Sequence, residues 1–152
     1  MVSWGEFERA EPEFAARVQR LLDAHKVKIL ATLRADGSPR TSGVEVDLAD
    51  GELGFGSMPG ARKGADLRWD PRFALHCTPL DWSAEPDSGD AKIAGRAVST
   101  GPLAGEVPGE VAGEGFRVDL TEVVVTSLNE AGTMLRVDSW RPGRGLRRVE
   151  RA

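Results

Sequence analysis

The sequence has little of what disulfide, metal and membrane proteins need. Cys77 is the one cysteine among 152 residues, which excludes an internal disulfide and a cysteine metal cluster. The two histidines, His25 and His76, lie far apart in the chain. No apolar run approaches the length of a membrane span, and Met1 to Glu6 lacks the basic-then-apolar pattern of a signal peptide. We therefore expect a cytoplasmic protein that makes no membrane contact.

Neither sign of charge dominates the composition. Lys and Arg number 20 against 24 Asp and Glu, for a net charge of −4, so nothing overall indicates a nucleic-acid partner. Hydrophobic residues make up 40% and charged residues 29%, which is ordinary globular usage. The length suits one domain with a real core. We expect a single domain over residues 1–152, with a helical segment over 1–26 and a basic tail over 140–152.

The hydrophobic pattern predicts two helices and many short strands. Pro12 fits the first turn of a helix that ends at His25 and Lys26, and a short helix follows at Ala65–Trp69. The predicted strands are Val27–Leu33, Arg40–Leu48, Glu52–Ser57, Arg72–Cys77, Ala91–Thr100, Phe116–Leu120, Val123–Ser127 and Met134–Ser139. Pro79–Gly89 and the glycine-rich Gly101–Gly115 are predicted loops. This pattern indicates a mainly β protein with an antiparallel barrel.

The most informative segment runs from Gly56 to Gly64, between a strand and a helix. Its small residues let a backbone approach a ligand closely, and a helix N-terminus favours an anion. Arg62 and Lys63 supply a guanidinium fork and a point charge there. The segment therefore predicts a site for a phosphorylated small molecule. The alternative is a glycine-rich surface turn with two solvated cations.

Three segments together resemble the pyridoxamine 5′-phosphate oxidase-like proteins, the FMN-binding split barrels. They are Ile29–Arg40 (ILATLRADGSPR), Gly56–Lys63 and Asp70–Arg72. The resemblance covers about Val27 to Val98, with a weaker match at Phe116–Val125. It implies an antiparallel split β-barrel that binds FMN and forms a homodimer with the cofactor at the subunit interface.

The resemblance also implies cofactor-binding residues. Arg40 to Val44 match the strand that lines the flavin ring and phosphate. Gly56 and Ser57 match the strand end that touches the cofactor, and Arg62 and Lys63 match its phosphate-binding pair. The expected cofactor-binding residues are therefore Arg40, Thr41, Ser42, Gly43, Val44, Gly56, Ser57, Arg62 and Lys63.

The chain also departs from that family. Glu45 stands where the family has a lysine that holds the substrate phosphate, and a carboxylate would repel an anion. Gly101–Gly115 replaces a helical substrate-binding segment, Trp140–Gly145 lacks the C-terminal Arg-x-His pattern, and Asp90 stands where a glutamine meets the cofactor. These departures argue against vitamin B6 oxidation.

The remaining chemistry is left to a cofactor, because the sequence shows no nucleophile–base pair and no paired carboxylates at helical spacing. Three functions stay open. They are an FMN-dependent oxidoreductase acting on an unidentified small organic substrate, a reductase using the deazaflavin F420, and a non-catalytic flavin- or haem-binding protein. His76 is expected to be a packed strand residue more often than a proton donor, and Cys77 a small buried side chain.

The basic tail has three interpretations. It carries a cluster of arginines at Arg141, Arg144, Arg147, Arg148 and Arg151. The tail is an arm that closes over a phosphate or a polyanionic cofactor, with Trp140 covering the ring face, or a frayed or solvated terminus. The third interpretation, a non-specific nucleic-acid contact, is disfavoured by the net charge.

Overall fold

A computed structural model describes residues 1–77 and 88–152 of the chain. The loop predicted over Pro79–Gly89 lies almost wholly outside the described residues. The helices are α1 (Trp4–Ala10), α2 (Pro12–Asp23) and α3 (Arg62–Trp69). The strands are β1 (Lys28–Leu33), β2 (Pro39–Val44), β3 (Val46–Ala49), β4 (Glu52–Ser57), β5 (Arg72–His76), β6 (Asp90–Ala104), β7 (Val111–Leu128), β8 (Leu135–Arg141) and β9 (Gly145–Arg151).

The strands form one nine-stranded antiparallel sheet, which confirms the mainly β split barrel expected from the sequence. Its order runs β2-β1-β5-β6-β7-β4-β3, with β8 on β7 and β9 on β8. β2 and β3 lie at opposite ends of this path but follow each other in the chain at Glu45. The sheet must therefore curl until its two ends meet. The split of the barrel lies beside β2.

Two helices, not one, occupy the N-terminal segment. Ser3 accepts a hydrogen bond from the Glu6 backbone N–H while the Glu6 side chain accepts one from Ser3, a capping box that starts α1. Pro12 begins α2, as predicted. Trp4 and Phe7 of α1 are almost fully buried in the barrel core. The sequence analysis missed α1, although the Ser3–Glu6 spacing is its signal.

The glycine-rich segment predicted as a loop over Gly101–Gly115 is mostly strand, so that prediction is wrong. β6 continues to Ala104 and β7 starts at Val111, so the two strands form a long hairpin beyond the barrel. Its register shifts at Ser99/Gly101 and Leu103/Ala104, and Gly101 has a φ of +93°. The glycines serve bulges within a paired ladder rather than a loop. We call residues 101–112 the β6–β7 arm.

Two of the predicted strand boundaries also differ from the observed ones. The strand predicted over Arg40–Leu48 breaks at Glu45 into β2 and β3. The two strands predicted between Phe116 and Ser127 are one strand, β7, which passes through a bulge near Leu120. Along β2 the side chains alternate as in a half-buried strand: Val44 is buried, while Thr41 and Gly43 are exposed.

The C-terminal tail is a paired strand, which contradicts the arm and a frayed terminus, although most of its residues are solvent-exposed. β9 pairs along its whole length with β8, after a turn in which Gly143 has a φ of +76°. Buried Asp138 of β8 accepts hydrogen bonds from Arg148 and from Arg17 of α2. The turn at Pro142-Gly143 and this ion-pair ladder fix the tail against the barrel.

Trp140 lies in the barrel core. Its side chain is 4% exposed, and its ring centroid lies 4.7 Å from that of Phe7. Trp140 is therefore a core residue and does not cover a cofactor ring. Among the helices of the described residues, none has the length and apolar content needed to cross a membrane.

Candidate functional site

Two adjacent clefts lie where β2 meets α3 and β4. The first, which we call the basic cleft, has a volume of about 560 Å³. It is lined by Arg34, Pro39, Arg40, Thr41, Ser42, Ala61, Arg62 and Lys63. The second, which we call the apolar cleft, has a volume of about 540 Å³. It is lined by Val27, Gly43, Val44, Glu45, Asp47, Gly56, Ser57, Met58, Lys63, Leu103 and Ala112. Every one of the nine expected cofactor-binding residues lines one of these clefts, and Lys63 lines both.

Strand β2 brings backbone as well as side chains to the clefts. In the described part of the chain its one paired neighbour is β1, so the N–H and C=O groups on its other edge are left for a ligand or a side chain. The Gly43 carbonyl on that edge accepts a hydrogen bond from Lys63 Nζ at 3.1 Å. This contact holds the Lys63 ammonium at the boundary of the two clefts.

The basic cleft collects cations from three segments. Arg62 and Lys63 begin α3, Arg40 comes from β2, and Arg34 comes from the turn between β1 and β2. Arg34 donates to the Pro39 carbonyl at 2.7 Å, which holds it over the turn. The sequence analysis missed Arg34 because its nearness to α3 depends on how β1 packs. Four cations around one cleft favour an anionic ligand.

Arg40 lines the basic cleft but is already paired with a buried carboxylate. Its Nε donates to Asp66 Oδ2 at 2.7 Å, and Thr32 Oγ1 donates to the same oxygen at 2.7 Å. Burial of Asp66 favours its neutral form, but the hydrogen bonds from Arg40 and Thr32 outweigh it, so the pKa of Asp66 lies below its ordinary value. Asp66 therefore stays charged and holds the Arg40 guanidinium in place at the basic cleft.

The start of α3 is built for an acceptor-rich ligand. Its N-cap residue is Ala61, which makes no side-chain capping bond, so the first amide N–H groups lack the usual side-chain partner. The hydroxyls of Ser42 and Ser57 are buried and have no hydrogen-bond partner among the described residues. A Cβ on Gly64 would lie 2.7 Å from Ser57 Oγ, so glycine is needed for this close approach. Ser42 lines the basic cleft, where a buried unpaired donor fits a phosphate group, whereas Ser57 lines the apolar cleft.

The apolar cleft has a different character. Val27, Met58 and Leu103 form its walls and are 49%, 74% and 39% exposed. Glu45, at the break between β2 and β3, has a 62% exposed side chain whose Oε1 lies 3.5 Å from Lys26 Nζ. This cleft can hold a flat apolar group, and its rim carries negative charge.

The β6–β7 arm forms one wall of this cleft. A Cβ on Gly56 would lie 3.1 Å from Leu103 Cδ1, and one on Gly115 would lie 3.0 Å from Leu103 Cδ2. The two glycines therefore seat Leu103 closely against β4 and β7. The sequence analysis missed Leu103 and Ala112 because it treated their segment as a loop.

Other residues singled out from the sequence lie elsewhere. Asp90 is buried at the start of β6, and its Oδ2 lies 3.1 Å from Nε2 of the half-exposed His76. Cys77 is buried, and burial raises the pKa of its thiol to about 11, so it is an inert side chain as expected. None of these residues, and no described residue of the tail, lines either cleft. The two clefts thus remain the site that the nine residues share.

Comparisons with known proteins give the fold. No family model and no curated protein matches the chain. Among solved structures, the chain is similar to a pyridoxamine 5′-phosphate oxidase-related, FMN binding protein from Nostoc punctiforme, at 12% identity and a TM-score of 0.64, covering 93% of this chain and 96% of that one.

Two other solved structures are similar across most of the chain. An F420 reductase is 18% identical with a TM-score of 0.53, covering 69% of this chain and 94% of that one. A heme binding protein from Mycobacterium smegmatis is 18% identical with a TM-score of 0.53, covering 89% of this chain and 57% of that one. The chain therefore has the split-barrel fold of the pyridoxamine 5′-phosphate oxidase-like proteins, as its sequence resemblance implies.

Proposed function

We propose that the protein is an FMN-dependent oxidoreductase that acts on a small organic substrate. The observation that carries the proposal is the basic cleft, where four cations, the uncapped start of α3 and the unpaired buried hydroxyl of Ser42 converge. Such a donor set suits a phosphate monoester. The apolar cleft next to it suits a flat ring system. A phosphorylated flavin has both parts.

Each part of the site has a separate task in this proposal. Arg62 and Lys63 bind the phosphate, and Asp66 holds Arg40 in place beside them. The edge of β2 at Thr41 and Gly43 lies along the path from the basic to the apolar cleft. FMN, when bound, supplies the redox chemistry, so the protein needs to position it and to admit a substrate and a reductant.

FMN is favoured over F420 by the position of the C-terminal arginines. A basic tail near the clefts would suit the polyglutamate chain of the deazaflavin, but the tail is strand β9. Arg148 is bonded to Asp138, Arg141 to Glu122 and Arg144 to the Ser139 carbonyl. These contacts hold three of the five tail arginines against the sheet. The haem-binding alternative gains no support from the basic cleft, which suits a phosphate better than a porphyrin.

A homodimer is part of the proposal. The outer face of β1 and β5 is largely apolar: Ile29 is 44% exposed, and Ala31, Leu33 and Ala74 line a groove of about 240 Å³ beside it, together with the exposed Arg72. An apolar outer sheet face and an open β2 edge beside the clefts are surfaces that a second copy would cover. Light scattering after size exclusion tests this, with a dimer mass expected for the wild type and a monomer for Ile29→Glu.

The deciding experiment is cofactor identification. The purified protein is scanned for flavin absorbance and by mass spectrometry, then titrated with FMN and with F420 by fluorescence. Micromolar or tighter binding of FMN, with reduction by a nicotinamide, would support the proposal. Preferential binding of F420 would replace FMN with the deazaflavin. Tight FMN binding without turnover by any reductant would indicate a binding protein, and binding of neither would overturn the proposal.

A further inference from the structure

The two clefts carry opposite charge although they share Lys63. The basic cleft has four cations, of which Arg40 is paired with Asp66 behind the lining, and no carboxylate among its described lining residues. The apolar cleft has Glu45 and Asp47 against Lys63. Lys63 Nζ is bonded to the Gly43 carbonyl, which holds the ammonium beside the basic cleft. A ligand in the apolar cleft therefore lies beside two carboxylates, while the Lys63 ammonium is held toward the basic cleft.

The neighbours of these carboxylates leave their charge in place. The ion pair between Glu45 and Lys26 joins side chains that are 62% and 80% exposed, and a pair so exposed contributes little. Asp47 is exposed, and residues 1–77 and 88–152 show no ion pair to it. Its register partner across β3 and β4 is Gly54, which has no side chain to offer.

The cleft also shows a second sign of a ligand site. Ser57 is 3% exposed and lines the apolar cleft, yet its hydroxyl has no partner among the described residues. A buried hydroxyl without a partner costs free energy unless something occupies the site. Leu103, seated over Gly56, and Val27, whose Cγ1 would lie 3.2 Å from a Cβ on Gly43, place apolar walls on either side.

From this arrangement we propose that the apolar cleft selects small apolar molecules that carry a cationic amine, and discriminates against organic anions. The inference rests on the proposed function, since it names the substrate class of the same site. The apolar part packs between Val27 and Leu103, alongside the flavin ring that the proposed function places in the same cleft of about 540 Å³, and the ammonium faces Glu45 and Asp47. The charges of the two clefts thereby direct a cationic substrate to the apolar cleft and the cofactor phosphate to the basic cleft.

The test compares three probes of one shape: benzylammonium, benzyl alcohol and benzoate. Their dissociation constants are measured by NMR chemical-shift titration on the FMN-loaded protein and on the cofactor-free protein. We expect benzylammonium to bind most tightly and benzoate least. Relative to benzyl alcohol, each carboxylate should change the dissociation constant of a charged probe by about fivefold, which is the effect of two unit charges about 4 Å apart in water. Equal affinities for the three probes, or no binding of any, would overturn the proposal.

Matched variants assign the preference to the cleft. Glu45→Gln/Asp47→Asn should level the three affinities. The control Glu8→Gln/Asp23→Asn removes the same charge from exposed positions on α1 and α2, outside both clefts, and should keep the order. Levelling in the control as well would mean that net charge, not the cleft, sets the preference, and would refute the proposal.

A separate FMN titration keeps the two proposals distinguishable. Failure to bind FMN with the ammonium preference intact would contradict the flavin assignment and support the selectivity of the cleft. Normal FMN binding without the ammonium preference would support the flavin assignment and contradict the selectivity of the cleft.

Discussion

Replacing Arg62 and Lys63 together with alanine tests the phosphate cradle. Both residues line the basic cleft at the start of α3, and Arg62 is exposed. A hydrogen bond to a charged group contributes about 1.5–3 kcal/mol. Because the cleft is open to solvent, we take the lower value for each residue, about 3 kcal/mol in total. That corresponds to about a hundredfold weaker binding of FMN.

The assay is quenching of flavin fluorescence, with riboflavin as a second ligand. Riboflavin lacks the phosphate, so the double variant should bind it as the wild type does. Wild-type affinity for FMN should also fall as salt is raised, because the interaction is between charges near the surface. Circular dichroism and thermal unfolding establish that the variant is folded.

A matched control removes two cations elsewhere. Arg147→Ala/Arg151→Ala makes the same change of net charge on exposed positions of β9, outside both clefts. It should bind FMN with unchanged affinity. If the Arg62/Lys63 variant binds FMN like the wild type, or loses FMN and riboflavin equally, the phosphate-cradle reasoning is wrong.

Three further predictions concern stability. Asp138→Asn leaves Arg17 without its buried partner and should cost about 3 kcal/mol in urea unfolding; a loss below about 1 kcal/mol would show that the pair is dispensable. Because the pKa of Asp66 is lowered from 3.8, its charge stabilises the fold above that pH and the stabilisation is lost as the pH falls through the folded-state pKa. Asp66→Asn should therefore show a shallower loss of thermal stability in acid, and an unchanged slope would contradict this. Glu45→Lys, at an exposed position, should change the free energy of unfolding by less than about 0.5 kcal/mol, and collapse of the fold would reveal a structural role for Glu45.

Local sequence determined much of the barrel. Pro12 placed the start of α2, and turn residues marked the ends of most strands. The segment Gly56–Lys63 contains the end of a strand, glycines that allow a neighbour to approach closely, and the start of a helix. These features depend on residues a few positions apart, where backbone preference and side-chain period decide the structure. The resemblance then named the nine residues that the fold gathers into two clefts.

The tertiary structure decided what depends on partners distant in the chain. Whether Gly101–Gly115 forms strands depends on pairing between β6 and β7, and such pairing outweighs the cost of ordering glycine. Arg40 is held by Asp66, and Trp140 lies against Phe7 from the other end of the chain. No local pattern indicates such contacts, because burial and ion pairing are set by which surfaces the sheet brings together. The opposite charge of two neighbouring clefts arises in the same way, from β2, β3 and α3 meeting at the split of the barrel.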